Sequence, residues 1–333
     1  MNVGMTYDLK DDYLKQGLSH EAAAEFDSEV TIVGIENALK ALGHTVDRIG
    51  NVTALVKRLA GGDTWDIVFN IAEGLHGLGR EALVPALLDA WGIPYTFSGP
   101  ELMCLTLHKG MTNSVVRSLG VATADFALVK QLEDIKRVKL PYPLFVKPVA
   151  EGTSKGISSR SLVHSKRELH TMCAELLEIF RQPVLVETYL PGREFTVGII
   201  GSGEESRIAG VIEVQAVDGG DASAYTYENK QDWTKRVSYT LVDDEIATTS
   251  ASLALKAWRG LGCHDAGRID VRLDHAFSPR FIEVNPLPGL NPESSDLPIL
   301  WKLGGGKYAD LIQDIFHSAL QRSGQMKSFR GAA

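Results

Sequence analysis

A chain of 333 residues, 44% hydrophobic and 23% charged, is long enough for two or three packed modules and has an ordinary globular composition. Disordered, collagen-like and coiled-coil chains are excluded, and no apolar run approaches the ~20 residues of a membrane span. The 34 basic and 42 acidic residues leave a net charge of −8, which argues against nucleic acid as a partner, since phosphate neutralisation needs a clustered Lys/Arg surplus.

Cys104, Cys173 and Cys263 lie far apart with no C-x-x-C, the pattern of free thiols in a reducing compartment. The opening Met1-Asn2-Val3-Gly4-Met5 has no basic region followed by an apolar core, so a cytoplasmic location is expected. In chain order, Met1–Thr6 reads as a strand, Ser28–Leu42 as an amphipathic helix ended by Gly43, and His44–Ile49 as a strand. Thr53–Ala60 reads as a helix entered through Thr53, Asp66–Ile71 as a buried strand, Glu81–Trp91 as a helix closed by Gly92, and Ile93–Phe97 as another strand. This βαβαβ rhythm predicts a parallel sheet with helices on both faces. No G-x-G-x-x-G opens the first crossover, so the dinucleotide fingerprint of a nicotinamide dehydrogenase is missing.

A helix over Leu105–Leu119 and a strand at Phe126–Val129 follow, then Pro141-Tyr142-Pro143 before the apolar strand Leu144–Val149. Beyond a Gly/Ser/Thr-rich stretch at Glu151–Ser161 come helix Lys166–Phe180 and strand Val184–Glu187. Longer β runs span Glu194–Gly201 and Arg207–Val217, with a polar stretch from Asp218 to Arg236. The last third holds helix Asp244–Leu261, a hairpin of Gly267–Asp274 and Arg280–Asn285, and a Pro/Gly loop through Pro298.

The hairpin carries the most chemistry. Period-two alternation puts Arg268, Asp270 and Arg272 on one strand face, and Glu283 with Asn285 on one face of the next, away from Ile282 and Val284. With His275–Ser278 as the connection, Asp270 sits opposite Glu283. Two carboxylates and an amide oxygen beside an arginine suit Mg²⁺; a solvated ladder of ion pairs is the plainer alternative. Lys147 in an apolar strand must be paired or reach a cleft. The small residues after it, through Gly156, bring backbone N–H groups close enough for phosphate, although mobile surface loops look similar and no Walker A motif is present. Glu187 through Glu194 read as a strand end, an apolar connector and a new strand, a hinge whose backbone suits an adenine edge and whose Glu194 suits ribose hydroxyls.

In this order, the segments resemble the ATP-grasp superfamily, most closely the D-alanine–D-alanine ligase family, over nearly the whole chain. The resemblance rests on Gly92-Ile93-Pro94-Tyr95-Thr96, Lys147-Pro148 with its Glu-Gly-Thr-Ser loop, Gly192-Arg193-Glu194-Phe195-Thr196-Val197, Gly267-Arg268-Ile269-Asp270-Val271, and Glu283-Val284-Asn285 with Pro288-Gly289. It implies a mixed α/β and α+β ATP-grasp fold: a Rossmann-like parallel-sheet domain over 1–104, a central subdomain over 105–188, and a C-terminal domain with the metal hairpin over 189–333. It also implies an ATP-dependent ligase of peptidoglycan synthesis, in which ATP phosphorylates one amino acid's carboxylate and a second amine attacks the acyl-phosphate. ATP and Mg²⁺, with Mn²⁺ as a substitute, are the implied cofactors, amino acids with D-alanine foremost the implied partners, and a homodimer the family's usual assembly.

Carried onto matching positions, Lys109 and Lys147 contact ATP phosphates, and Glu151, Thr153 and Ser154 belong to the loop that closes over them. Glu187, Tyr189 and Leu190 fall at the adenine, Glu194 at the ribose, Ile282 beside the nucleotide, and Lys230 on the family's ω-like loop. Asp270, Glu283 and Asn285 match the metal ligands, Arg268 and the Gly289 amide the oxyanion stabilisers, Ser294 the holder of the second carboxylate, and Glu29 the partner of the first ammonium. Glu29 also reads as an acid complementing its own helix dipole.

Several positions depart from the family pattern. The N-terminal Gly-Gly turn is missing, Thr31 stands where Glu-Val-Ser has its serine, and Thr153 replaces the loop's first serine. Ile71 through Glu81 replace the family's His-Gly and Gly-Glu-Asp-Gly, leaving His76 a candidate; Gln231 replaces a common tyrosine and Ser295 a leucine. The changes gather at the amino-acid sites, so D-alanyl-D-alanine formation leads, with another amino-acid ligase of the same mechanism or a non-catalytic nucleotide-binding descendant as alternatives.

Overall fold

The computed structural model describes residues 1–216 and 237–330. Its first strand, β1 (Asn2–Tyr7), lies between β2 (Thr45–Gly50) and β3 (Ile67–Ile71) in a parallel sheet. Every residue of β3 is buried, as a parallel strand covered on both faces requires. Val3, Met5 and Phe69 pack with Ile32 and Ile35 of helix Glu29–Ala41 and with Ile312 and Phe316 of helix Tyr308–Arg330. Val68 and Ile49 join a separate core with Leu55 of helix Val52–Ala60 and Leu88 of helix Leu83–Trp91.

Two expectations for this region change. Helix Val52–Ala60 is entered through Asn51, whose side chain accepts from the Ala54 N–H, rather than through Thr53. The strand expected at Ile93–Phe97 is reduced to a single bridge between Val68 and Tyr95. There Phe97 adopts φ +69 and gives its N–H to the buried Asp265 carboxylate at 2.7 Å, which turns the chain out of the sheet.

The long helix expected at Leu105–Leu119 is two helices, Pro100–Leu107 and Lys109–Ser118. His108 leaves helical geometry at ψ 86, and its Nδ1 accepts the Met111 N–H, capping the second helix. The break makes Lys109 the first helical residue and lets its N–H reach the Val149 carbonyl at 3.0 Å. A second sheet follows, antiparallel, from β4 (Phe126–Val129), β5 (Leu144–Pro148), β6 (Leu162–Val163) and β7 (Val184–Thr188) in the order β4-β7-β5-β6. Leu169, Met172, Cys173 and Leu176 of helix Lys166–Phe180 cover it.

The third sheet is antiparallel and five-stranded: β8 (Glu194–Ile200), β9 (Arg207–Ala216), β10 (Val237–Leu241), β11 (Ala266–Leu273) and β12 (Pro279–Asn285), ordered β10-β9-β8-β11-β12. Helix Glu245–Leu261, capped by Asp244, lays the fully buried Trp258 on it. The loop expected through Pro298 ends at Ser295, where helix Asp296–Leu303 begins with Pro298 in its first turn, a position at which the missing N–H has no intrahelical role. Among the described residues, no helix is long and apolar enough to cross a membrane.

Gly267 shows how closely the third sheet is packed: a Cβ there would lie 2.5 Å from both the Asn285 carbonyl oxygen and the Trp258 ring. Gly267→Ala is expected to destabilise the protein by about 1–3 kcal/mol through overpacking. Urea denaturation checks it, and an unchanged midpoint would show that Trp258 yields freely.

Candidate active site

Two neighbouring strands supply the hardest ligands. In the β11/β12 hairpin Asp270 faces Glu283, and Arg268 faces Asn285. The register then slips, because Val271 pairs with Phe281, so Ile282 is the extra residue of a β-bulge. This corrects the simple alternation of the sequence reading. Phe281 and Val284 enter the core, whereas Ile282 lines the cleft next to Glu283. Ile269, Val271 and Leu273 lock the other face of β11 into the same core, fixing Arg268, Asp270 and Arg272 toward the cleft.

Asp270 is buried, accepts from Thr196 Oγ1 at 2.8 Å, and lies 3.5 Å from Asn285 Nδ2. Burial, with Glu283 and Asp296 close by, pushes its carboxyl up to about 7 against the pull of Arg268. Glu283 meets Lys109 Nζ at 3.4 Å. Two carboxylates and an amide on adjoining strands form an all-oxygen set suited to a hard divalent cation completed by phosphate and water.

The cleft beside the hairpin runs between the second and third sheets, with Phe145, Thr188 and Leu190 among its walls. On its floor Lys147 pairs with Glu187 at 2.8 Å, both about 5% exposed as side chains, at 6% and 5%. Burial alone would pull the ammonium down, but Glu187, followed by Glu283, holds it above the usual lysine range. Asn113 Nδ2 donates to the other oxygen of Glu187 at 3.1 Å. At the far end Arg272 pairs with Glu194 at 3.2 Å and stacks over Tyr189 at 5.4 Å. The Thr188 hydroxyl is buried on this wall and has no hydrogen-bond partner among the described residues, a polar atom that a ligand's edge would satisfy.

Over the floor passes the loop from Glu151 to Gly156, where Thr153 and Ser154 hold φ +52 and +58. Successive left-handed residues turn neighbouring N–H groups to one side, an anion-binding concavity, at a backbone cost that ordinary loops avoid. Its base is anchored. Lys109 Nζ donates to the Glu151 carbonyl at 2.7 Å, and the Glu151 carboxylate meets Lys155 at 2.8 Å and Gln182 at 2.6 Å.

A second chamber of about 400 Å3 opens directly behind, sharing Lys109, Glu151, Thr153, Arg268 and Glu283 with the cleft. Lys10 and Glu73 follow the ends of β1 and β3 into it, the carboxyl-end crevice where open parallel sheets hold ligands. Gly289, Ser294 and Asn285 line its far side. Asn291 shapes that turn by accepting the Ser294 N–H at 3.1 Å, while its own N–H donates to Ser295 Oγ at 3.0 Å. Arg268 holds Asp270 at 3.0 Å and Asp296 at 2.8 Å, and Asp296 accepts from Tyr239 at 2.8 Å.

The proposed positions therefore gather around one pair of cavities: Lys109, Lys147, Glu151, Thr153, Ser154, Glu187, Tyr189, Leu190, Glu194, Arg268, Asp270, Ile282 and Glu283 at the cleft, Asn285, Gly289 and Ser294 in the chamber. Glu29 is not brought there; its carboxylate lies on the exposed side of its helix, 2.6 Å from Arg48. His76 is exposed and lines neither cavity. Lys230 and Gln231 fall outside the described residues. Sequence reasoning missed Thr188, Asp296 and the chamber's Glu25, Asp27, Glu73 and Glu81. The acids beside Phe26 and Arg80 were visible as charges, but only tertiary packing joins two segments 55 residues apart.

Comparison with known proteins accounts for this arrangement. The family described as D-ala D-ala ligase C-terminus matches residues 115–317. A D-alanine–D-alanine ligase of Bordetella petrii is 34% identical over 293 residues, covering 86% of this chain and 85% of the relative. This chain belongs to the D-alanine–D-alanine ligase family. An uncharacterised Sinorhizobium fredii protein, y4sG, is 30% identical, covering 78% of this chain and 76% of its own. The crystal structure of a Bacillus anthracis D-alanine–D-alanine ligase complexed with ATP superposes with TM-score 0.73 at 20% identity, over 98% of this chain and 99% of that one. VanG, a D-Ala:D-Ser ligase from Enterococcus faecalis, gives TM-score 0.71 at 18% identity, over 96% and 99%. The family's ATP-grasp fold is thus the fold of this chain.

The buried floor pair yields a direct test. Glu187→Ala leaves the Lys147 ammonium without its nearest carboxylate, and loss of one partner of a buried pair costs roughly 3–5 kcal/mol. Chemical denaturation should register it; a change under about 0.5 kcal/mol would mean that the pair is effectively solvated.

Proposed function

We propose that this member of the family is an ATP- and Mg²⁺-dependent ligase that activates the carboxylate of one amino acid as an acyl-phosphate and joins it to the amine of a second. D-alanine is the substrate that the names of its relatives support, and D-alanyl-D-alanine the corresponding product. The observation that carries this reading is the shared wall: Lys109, Arg268 and Glu283 border both the nucleotide-sized cleft and the chamber behind it. Phosphoryl transfer between two compartments needs such a junction, with cations where anions meet.

Lys147 and Lys109 would bind the phosphates, with the N–H groups of Thr153 and Ser154 closing over them. Glu187, the Tyr189–Leu190 backbone and Thr188 would orient the base, and Glu194 the ribose. Asp270, Glu283 and Asn285 would hold Mg²⁺, which neutralises phosphate charge during transfer. Arg268 and the Gly289 N–H would stabilise the oxyanion formed when the amine attacks. The loop would keep water from an acyl-phosphate that hydrolyses readily. The location we propose is cytoplasmic, where ATP is available.

Phosphate release from ATP with Mg²⁺ and D-alanine, products checked by mass, tests the reading. The dipeptide is expected, and ATP binding without release for any amino acid would sink the ligase assignment. Arg268→Ala should lower kcat by at least a hundredfold while the KM for ATP moves less than threefold, because its partner bears full charge only during attack. Equal losses in both would remove that role. Asp270→Asn should raise the Mg²⁺ needed for half-maximal rate about tenfold or more, and unchanged activity at low Mg²⁺ would contradict the metal set.

A further inference from the structure

Among the described residues the chamber is lined by more acids than cations, the cations being Lys10, Lys109 and Arg268. Of its carboxylates, Glu25 is fully engaged: Arg80 lies at 2.9 Å, Lys155 at 3.3 Å, and the Gly152 N–H donates at 2.8 Å. Arg80 is used up in the same network, giving another N–H to the Ala150 carbonyl at 3.1 Å. Glu73 and Glu81 line the same space, yet among the described residues neither has an ion pair or a hydrogen-bond donor within bonding distance. Burial, then the charge of Glu81, pushes Glu73 well above the usual carboxylate range; burial pushes Glu81 up to about 7 although Arg80 and Lys109 oppose it. Asp27, on the same wall, is pushed up to about 7, again chiefly by burial.

Such groups are costly to keep unless something arrives to pair them. Among the described residues no third His, Cys, Asp or Glu joins Glu73 and Glu81 closely enough to complete a metal-ligating group of three. A second, uncharged group points the same way. Thr31, fully buried in the first turn of helix Glu29–Ala41, lines the chamber, and its hydroxyl, beside Asp27, completes no well-formed hydrogen bond among the described residues. Between these polar groups Phe26, Leu107 and Leu287 supply apolar wall, the surroundings that suit a run of methylenes behind a charged tip.

We propose that one of the two substrates joined here bears a second cationic nitrogen on an aliphatic stem, a diamino acid or diamine, recognised by Glu73 and Glu81 with Thr31 as an added hydrogen-bond partner. The proposal rests on the ligase reading above and specifies what that site selects. A single α-ammonium answers one carboxylate; a second nitrogen answers the other. The methylene stem then lies along Phe26, Leu107 and Leu287.

The test uses the full-length protein with Mg²⁺ and ATP, measuring phosphate release and product mass. D-alanine is offered alone, then with ornithine, with 2,4-diaminobutyrate, with putrescine, and with norvaline as the uncharged match for ornithine, both enantiomers where they exist. At least one diamine-bearing partner should exceed norvaline tenfold or more in kcat/KM and appear in the product. Glu73→Gln and Glu81→Gln, which keep side-chain shape, should each shrink that preference at least fivefold. The ratio separates recognition from misfolding, because a damaged fold lowers both substrates together. Norvaline equalling ornithine, or D-alanine alone matching every pair, would overturn the charged-partner proposal and leave the ligase reading standing. No release with any partner, while ATP still binds, would overturn both.

Discussion

The register of one hairpin governs the rest of the site. Pairing of Asp270 with Glu283 brings two carboxylates to one spot, and the bulge at Ile282 restores the core face with Phe281 while leaving the polar face toward the cleft. A slip by one residue would bury Asp270 and Arg268 in the apolar layer beneath Trp258 and turn Ile269 toward the cleft. The packing of Gly267 against Trp258 and the Asn285 carbonyl excludes that slip sterically. Specificity of pairing here is therefore enforced by a shape with no room for a methyl group.

Charge is handled differently in the two cavities. In the cleft the acids have cations near them: Glu187 with Lys147, Glu194 with Arg272, Glu283 with Lys109. These pairs hold ammonium and guanidinium groups in place on the cleft wall. The chamber behind runs the other way: Lys10, Lys109 and Arg268 line it, but among the described residues neither Glu73 nor Glu81 has a cation within ion-pair distance. Arg268 stands at the boundary and is held from both sides, by Asp270 and by Asp296. A guanidinium with two carboxylate partners can keep one while the other turns to a metal, which preserves its aim through the change in charge.

Much of this was legible in the sequence because it is local. The strands of the hairpin, the lysine in an apolar strand and the glycine-rich loop are written in period-two alternation and composition, and β11 and β12 appear where alternation put them. What escaped is set by distant contacts. Ile93–Phe97 has the composition of a strand but loses the Phe97 N–H to Asp265, from another sheet. The helix break at His108 depends on a ring nitrogen capping its own chain, which periodicity does not encode. Glu29 matches a motif, yet Arg48 on the neighbouring strand draws its carboxylate away from the chamber. The chamber's acids drew no functional reading from the sequence, because nothing local reveals that Glu25 and Arg80 meet.

Helix Tyr308–Arg330 closes the face of the sheet that β1 begins, through Ile312, Ile315 and Phe316 against Val3 and Met5. Arg322 adds bonds to the Tyr95 and Phe97 carbonyls and to Asp265. During synthesis the first strands leave the ribosome long before this covering helix exists. Their apolar side therefore stays bare while the other sheets are being made, a long interval in which chaperones have a surface to hold. The sheet that bears the carboxyl-end crevice is thus completed on one face by the last element of the chain.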